Sequence, residues 1–262
     1  MQILTEDPTR DSSRSTALPG RGLSMLALAI WTLPAWSAPP PADYPQMAPL
    51  AQYFSVDRAS EVALARSAAP RSVATQATVL TLGKQGYETA AKGSNGFVCF
   101  VQRSWANDFD NGQFWNPRIR TPQCWNAAAA SSVLPDYLNR TRWVLAGVSR
   151  DEMAARTKAA FASHEIGSPA PGSMAYMLSK DQYILDATPP AQANWYPHVM
   201  FFVPATDASM WGANVKGGPV FSITSDVEPV TTFFVVAPRW SDGSPGPYAT
   251  AAGKSQEHHH HG

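Results

Sequence analysis

Apolar and polar positions along the chain predict strands first, then helices, then strands again. Thr78-Val79-Leu80-Thr81-Leu82 ends at Gly83, Tyr87 to Lys92 lies between two glycines, and Phe97 to Arg103 follows the turn dipeptide Asn95-Gly96. The short spacers between these runs predict an antiparallel meander. In the third run Phe97, Cys99 and Val101 share one face and Val98 and Phe100 the other, so both faces are apolar and the strand is central. Ahead of them the pattern predicts a short helix over Arg58 to Ala68, with Asp57 as N-cap and Pro70 beyond its end.

Ser104 to Asn126 reads as a long loop dense in Trp, Asn, Asp and Arg. Three helical patterns follow. Ala127 to Leu134 is short. Pro135 opens the next at its first position, with Leu138, Thr141 and Leu145 on one stripe and Gly147 as the C′ residue. Ser149 and Glu152 form an S-x-x-E capping box for the third, Val148 can staple to Met153, and the helix runs to His164 with Gly167 beyond. The last third predicts strands over Met174 to Leu178, His198 to Val203, Val220 to Thr224 and Thr231 to Ala237. The continuous apolar runs His198 to Val203 and Phe233 to Val236 predict burial on both faces. The fold class is α+β, a mainly antiparallel sheet with a central block of helices packed on it.

The ends change the picture. Leu23 to Trp36 is an apolar run preceded by Arg14 and Arg21 and followed by the small-residue site Ala35-Trp36-Ser37. That is the pattern of an export signal over residues 1–37, too short to span a bilayer; the other reading is a buried N-terminal helix. Residues 38–56 are a Pro-rich lead, 57–240 a single domain, and 241–262 a disordered tail ending in the tract His258 to His261. That tract is an added tag or a natural metal-scavenging tail. Export, to the periplasm or the medium, gives Cys99 and Cys124 a meaning. They are the only cysteines, and an oxidising compartment favours a disulfide between them over two separate buried thiols.

Charge excludes one class of partner. Twenty Lys and Arg balance twenty Asp and Glu, so no basic footprint for nucleic acid exists. No second stretch approaches membrane-spanning length once the signal is removed. The established catalytic and nucleotide motifs are absent: no G-x-S-x-G, S-x-x-K, Walker A or G-x-G-x-x-G. His164-Glu165 starts like H-E-x-x-H, but Ser168 stands where the second histidine belongs, and Phe109 breaks a calcium-loop reading of Asn107 to Gly112. No cofactor and no metal site is expected.

Two features carry candidate chemistry. His198 opens an apolar strand, where an imidazole can serve as a base or ligand, or simply as a hydrogen-bonded structural residue. The Trp105–Trp125 loop offers Trp105 and Trp115 as flat apolar faces and Asp108, Asp110, Arg118 and Arg120 as polar groups, which suits a small-molecule or sugar site. Either arginine can pair with an anion. In the other reading the aromatics anchor the loop on the core, and Asp108 and Asp110 form turns rather than an acid–base pair.

The segments Gly86-Tyr87-Glu88, Asn95-Gly96-Phe97-Val98-Cys99 and Arg103-Ser104-Trp105 together resemble a recurring pattern of exported bacterial proteins with no assigned function. The resemblance extends through Pro197-His198-Val199-Met200-Phe201-Phe202 and implies bacterial export without assigning a site. The functional expectation is an exported domain that binds a small or amphipathic ligand or has a structural role in the envelope. Two alternatives stand beside it: a hydrolase with His198 as base assisted by Asp108, Asp110 or Arg118, and an envelope protein–protein interaction module.

Overall fold

The structure is a computed structural model, and it describes residues 44–186 and 196–247. Residues 1–37, read above as an export signal, the start of the Pro-rich lead, Asn194-Trp195 and the histidine tract lie outside the described residues.

Among the described residues, eight strands form one sheet: β1 (Thr78–Gly83), β2 (Gly86–Ala91), β3 (Val98–Gln102), β4 (Thr121–Trp125), β5 (Met174–Met177), β6 (His198–Pro204), β7 (Val220–Thr224) and β8 (Val230–Val236). Their order is β2-β1-β3-β4-β5-β6-β8-β7. Five α-helices among the described residues accompany them: α1 (Arg58–Arg66), α2 (Arg71–Ala74), α3 (Ala127–Ser132), α4 (Leu134–Leu145) and α5 (Arg150–Ala162). The α+β class is therefore observed.

The three N-terminal strands are not a meander. β1 and β2 form a hairpin, but β3 pairs with β1 on its far side, in parallel, with Thr78 opposite Val98 and Val79 opposite Cys99. To get there the chain crosses the start of β1. Gly93 makes the crossing possible: a Cβ there would lie 2.2 Å from the Thr78 nitrogen. The Gly93 N–H donates to Thr78 Oγ1 at 3.0 Å, and the Ser94 N–H to the Gln76 carbonyl at 2.8 Å.

β3 is central, as its two apolar faces require. Cys99 and Val101 meet α1 through a layer of small side chains, Ala65, Ala68, Ala69, Ala74 and Ala77. Phe100 joins the opposite core, where Trp125, Tyr137, Val144 and Met153 pack under the later helices. The loop reading of residues 104–126 misses β4, whose Thr-Pro-Gln-Cys-Trp lacks an alternating apolar signature. Its Gln123 is buried and hydrogen-bonds both Gln102 and the Trp125 indole N–H.

β6 and β8 are not buried on both faces. His198, Met200 and Phe202 point into the core, while Phe201 is exposed and Val199 and Val203 are half-buried. The reason is coverage: α1 lies over β1, β3 and β4. The helix caps follow the sequence signals closely. Asp57 accepts from the Ala59 and Ser60 N–H groups, and Ser149 accepts from Glu152 N–H. The third helical pattern stops at Ala162, and His164 lies beyond it with a left-handed φ of 59°.

Candidate functional site

The Trp105–Trp125 segment folds as core. Trp105 sits in a 3-10 turn (Ser104–Ala106), is fully buried, and donates its indole N–H to Thr141 Oγ1 at 3.0 Å. Phe114 is buried between Phe109 and Trp115, with ring centroids at 5.4 and 4.8 Å. Trp125 lies on β4 against Phe100 and Phe202. Between these anchors the polar residues make turns. Asn111 Oδ1 accepts from the Gln113 N–H at 2.8 Å, and Asn116 Oδ1 from the Arg118 N–H at 2.9 Å.

The candidate charges of this segment separate. Asp108 is half-buried and Asp110 exposed; burial, and then the charge of Asp110, raise the Asp108 carboxyl above its ordinary range. Arg118 is exposed, lies 4.7 Å over the Tyr183 ring and pairs with Asp186 at 3.1 Å. The anion opposite Arg118 is thus the chain's own carboxylate. Tyr44 and Tyr183 also donate to Asp186. Burial alone would raise Asp186, but these hydroxyls and Arg118 hold it below the usual carboxylate range, while burial and the bond to Asp186 push Tyr183 up to about 12. Arg120 donates to the carbonyls of Pro117, Ile119 and Gln52, and burial together with nearby Arg103 lowers it to about 10. It fastens the loop to the N-terminal segment.

His198 is 1% exposed. Its Nδ1 lies 2.7 Å from the Tyr196 carbonyl, so this nitrogen carries the proton and donates. Burial pushes its pKa down to about 4, so the imidazole is neutral at pH 7. β5 intervenes between β6 and β4, the strand that the loop enters. The arrangement does not assemble His198 with Asp108, Asp110 or Arg118 into one solvent-open centre.

Cys99 and Cys124 stand directly opposite each other on β3 and β4 and form a disulfide, with both residues fully buried. Among the described residues, no group of three His, Cys, Asp or Glu side chains is placed to hold a metal ion.

Two buried ionic groups went unread in the sequence. Glu61 and Arg103 pair beneath α1 at 2.9 Å. Arg140 pairs with Asp136 at 3.3 Å and with Glu228, and its guanidinium lies 4.2 Å over the Phe109 ring. Asp136 and Arg140 do stand four apart on a helix, but that spacing is equally the mark of a solvated surface pair.

One opening in the surface involves a residue of the aromatic loop. A cleft of about 340 Å³ lies where Trp115 meets the start of α5. Met47, Trp115 and Val148 give it apolar lining; Gln46, Ser149, Arg150 and Asp151 give it polar groups. Gly147, with φ 74°, turns the chain out of α4, and Ser149 then caps α5. The first N–H groups of a helix have no intrahelical acceptor and carry partial positive charge. The cleft therefore sets an indole and a thioether beside a hydrogen-bonding rim.

No family model matches this chain, and neither a curated protein nor a solved structure shows significant similarity to it.

Proposed function

We propose that this is an exported, non-catalytic domain that binds a small ligand in the cleft between Trp115 and the first turn of α5. One observation carries the reading: an aromatic residue of the Trp-rich loop shares an opening of about 340 Å³ with Ser149, Arg150 and Asp151 at the start of α5. That volume is at the lower end for small-molecule sites, which combine apolar walls with a few placed polar groups. A sugar, or another compact molecule with one apolar face and one acceptor group, matches this chemistry. Binding is favoured over hydrolysis because His198 is buried, neutral and tied to Tyr196. Export is supported by the signal pattern of residues 1–37, by the resemblance to exported bacterial proteins and by the buried disulfide.

The test is calorimetry and thermal shift against sugars, organic acids and amphipathic metabolites. Gln46→Trp, which places bulk at the exposed rim, should abolish binding of any hit, and Arg150→Ala should weaken it. A hit indifferent to both substitutions, or no hit across the panel, overturns the proposal.

A further inference from the structure

Among the described residues, the exposed large apolar side chains other than Val56 lie away from α1, on β6, β7 and the loop between them. Met210 is 83% and Trp211 59% exposed, and Phe201, Val215 and Ile223 are exposed as well. Isolated exposed apolar side chains are ordinary, but a cluster of large ones marks a contact surface. Phe201, Trp211 and Met210 are connected through Phe233, whereas Ile223, opposite Thr232 and so in line with Phe202, lies on the other face of the sheet. Phe201 and Phe233 are direct cross-strand partners and so share a sheet face, and the Trp211 ring lies 5.0 Å from that of Phe233. Phe201, Phe233, Trp211 and Met210 thus form one apolar run from the sheet out to the tip of the β6–β7 loop.

This loop is built rather than slack. Asp207 accepts from the Ser209 N–H at 2.9 Å and starts a 3-10 turn over Ala208–Trp211. Gly212 ends it with φ 68°, and Ala213 is buried. Asn214, itself left-handed at φ 61°, then lies along the outer edge of β7. Its N–H donates to the Val220 carbonyl at 2.9 Å, and its Oδ1 accepts from the Ser222 N–H at 2.9 Å. Asn214 thereby occupies edge groups to which another strand could otherwise add. The fold holds Met210 and Trp211 out in solvent on a braced scaffold, and it discourages strand-to-strand association at the same edge.

The side chains of the loop point to the kind of partner. Between β6 and β7 it carries one cation, Lys216, and one carboxylate, Asp207, both exposed. Asp207 is engaged at the base of the turn, where it accepts from the Ser209 N–H, so the tip formed by Met210 and Trp211 is itself uncharged. A projecting loop with Trp and Met at an uncharged tip and an exposed lysine further along fits a lipid surface. Trp is favoured at the headgroup level, the apolar side chains enter the acyl boundary, and a lysine faces anionic headgroups. From this geometry we infer that the β6–β7 loop is a peripheral membrane anchor, with Met210 and Trp211 inserting and Lys216 meeting anionic lipid. The helices of the described structure include none long and apolar enough to cross a membrane, so this contact is interfacial.

The disulfide makes the test clean, because the described chain has no free cysteine. Met210→Cys in the full chain is labelled with an environment-sensitive dye and mixed with vesicles of phosphatidylethanolamine and phosphatidylglycerol. Val56→Cys, at another fully exposed apolar position, carries the same dye as the control for adsorption through any other part of the chain. The label at 210 should brighten and shift to shorter wavelength with the vesicles, and the label at 56 should not. Trp211→Ser should weaken the vesicle response of the 210 label about tenfold. Lys216→Glu should weaken it for these vesicles but not for neutral phosphatidylcholine. Silence at 210, equal responses at both positions, or a response at 210 that follows protein concentration without lipid would overturn the inference. The last of these would assign the surface to a second copy of the chain.

Discussion

Arg103 and Glu61 meet at 2.9 Å with both side chains sealed from solvent. The guanidinium also donates to the carbonyls of Tyr53 and Val101, and Glu61 Oε1 accepts from the Leu82 N–H at 3.2 Å. The pair thus ties α1, β1, the end of β3 and the N-terminal segment to one point. A buried charge left without its partner is costly, about 3–5 kcal/mol. Glu61→Ala should therefore lower stability by that amount in denaturant unfolding. Glu61→Leu combined with Arg103→Met should recover part of the loss, since no charge is then stranded. A cost of Glu61→Ala below about 1 kcal/mol would show that the site rearranges or hydrates.

Gly93 decides the strand order near β1. Its missing side chain lets the backbone cross the start of β1, where a Cβ would meet the Thr78 nitrogen at 2.2 Å and the Ala77 carbonyl carbon at 2.3 Å. Neither atom can swing away as a side-chain end can. Gly93→Ala should cost about 3 kcal/mol, as overpacking against fixed backbone does. Gly167→Ala is the matched control, because a Cβ there meets nothing within 4 Å. Equal midpoints for the two variants in guanidinium would mean that the crossing has room to relax.

What was legible in the sequence follows from how local each signal is. The caps at Asp57 and Ser149 and the two apolar faces of β3 depend on residues within one turn or one strand, and they appear as expected. The disulfide was also legible, because two cysteines allow one pairing. The crossing at Gly93 was not, because a glycine after a strand looks the same whether the chain turns back or passes over. β4 was hidden because Gln123 is satisfied by Gln102 and Trp125, partners that no sequence pattern reveals. The loop aromatics were visible as a group, but their destination was not: Trp105 and Phe114 went to the core and Trp115 to the edge of a cleft. The exposure of Phe201 depends on α1 lying over the other half of the sheet, which is a tertiary fact.

Cys99 and Cys124 close a loop across a sequence separation of 25 beneath α1. On the chain-entropy account such a loop contributes about 3–4 kcal/mol by restricting the unfolded chain. Cys99→Ala with Cys124→Ala should lower stability by this order. Because both residues are fully buried, reductant should act on the wild type only as fast as the core opens. Thiol release should then accelerate with added urea and stay slow without it. Rapid thiol release in native buffer would show that α1 lifts from the sheet without global unfolding.

His198 should leave a pH signature. Burial holds its pKa near 4 in the folded chain, against about 6.5 when unfolded. Above about pH 6.5 both states carry a neutral imidazole and the residue contributes no pH dependence. As the pH falls below 6.5 the unfolded chain takes up a proton that the folded chain refuses, so stability drops. The loss ends near pH 4, where the folded imidazole is protonated too. Its full size is on the order of 3 kcal/mol. Carboxylates titrate in the lower part of the same window, so the measurement is a difference: unfolding free energy of wild type minus that of His198→Asn, from pH 7.5 down to 4. That difference should be constant above pH 6.5 and fall steadily below it. A difference that stays flat across the range would mean that protonated His198 is accommodated in the fold. In that case the imidazole would have access to solvent or to a carboxylate, and a proton-transfer role for it would return.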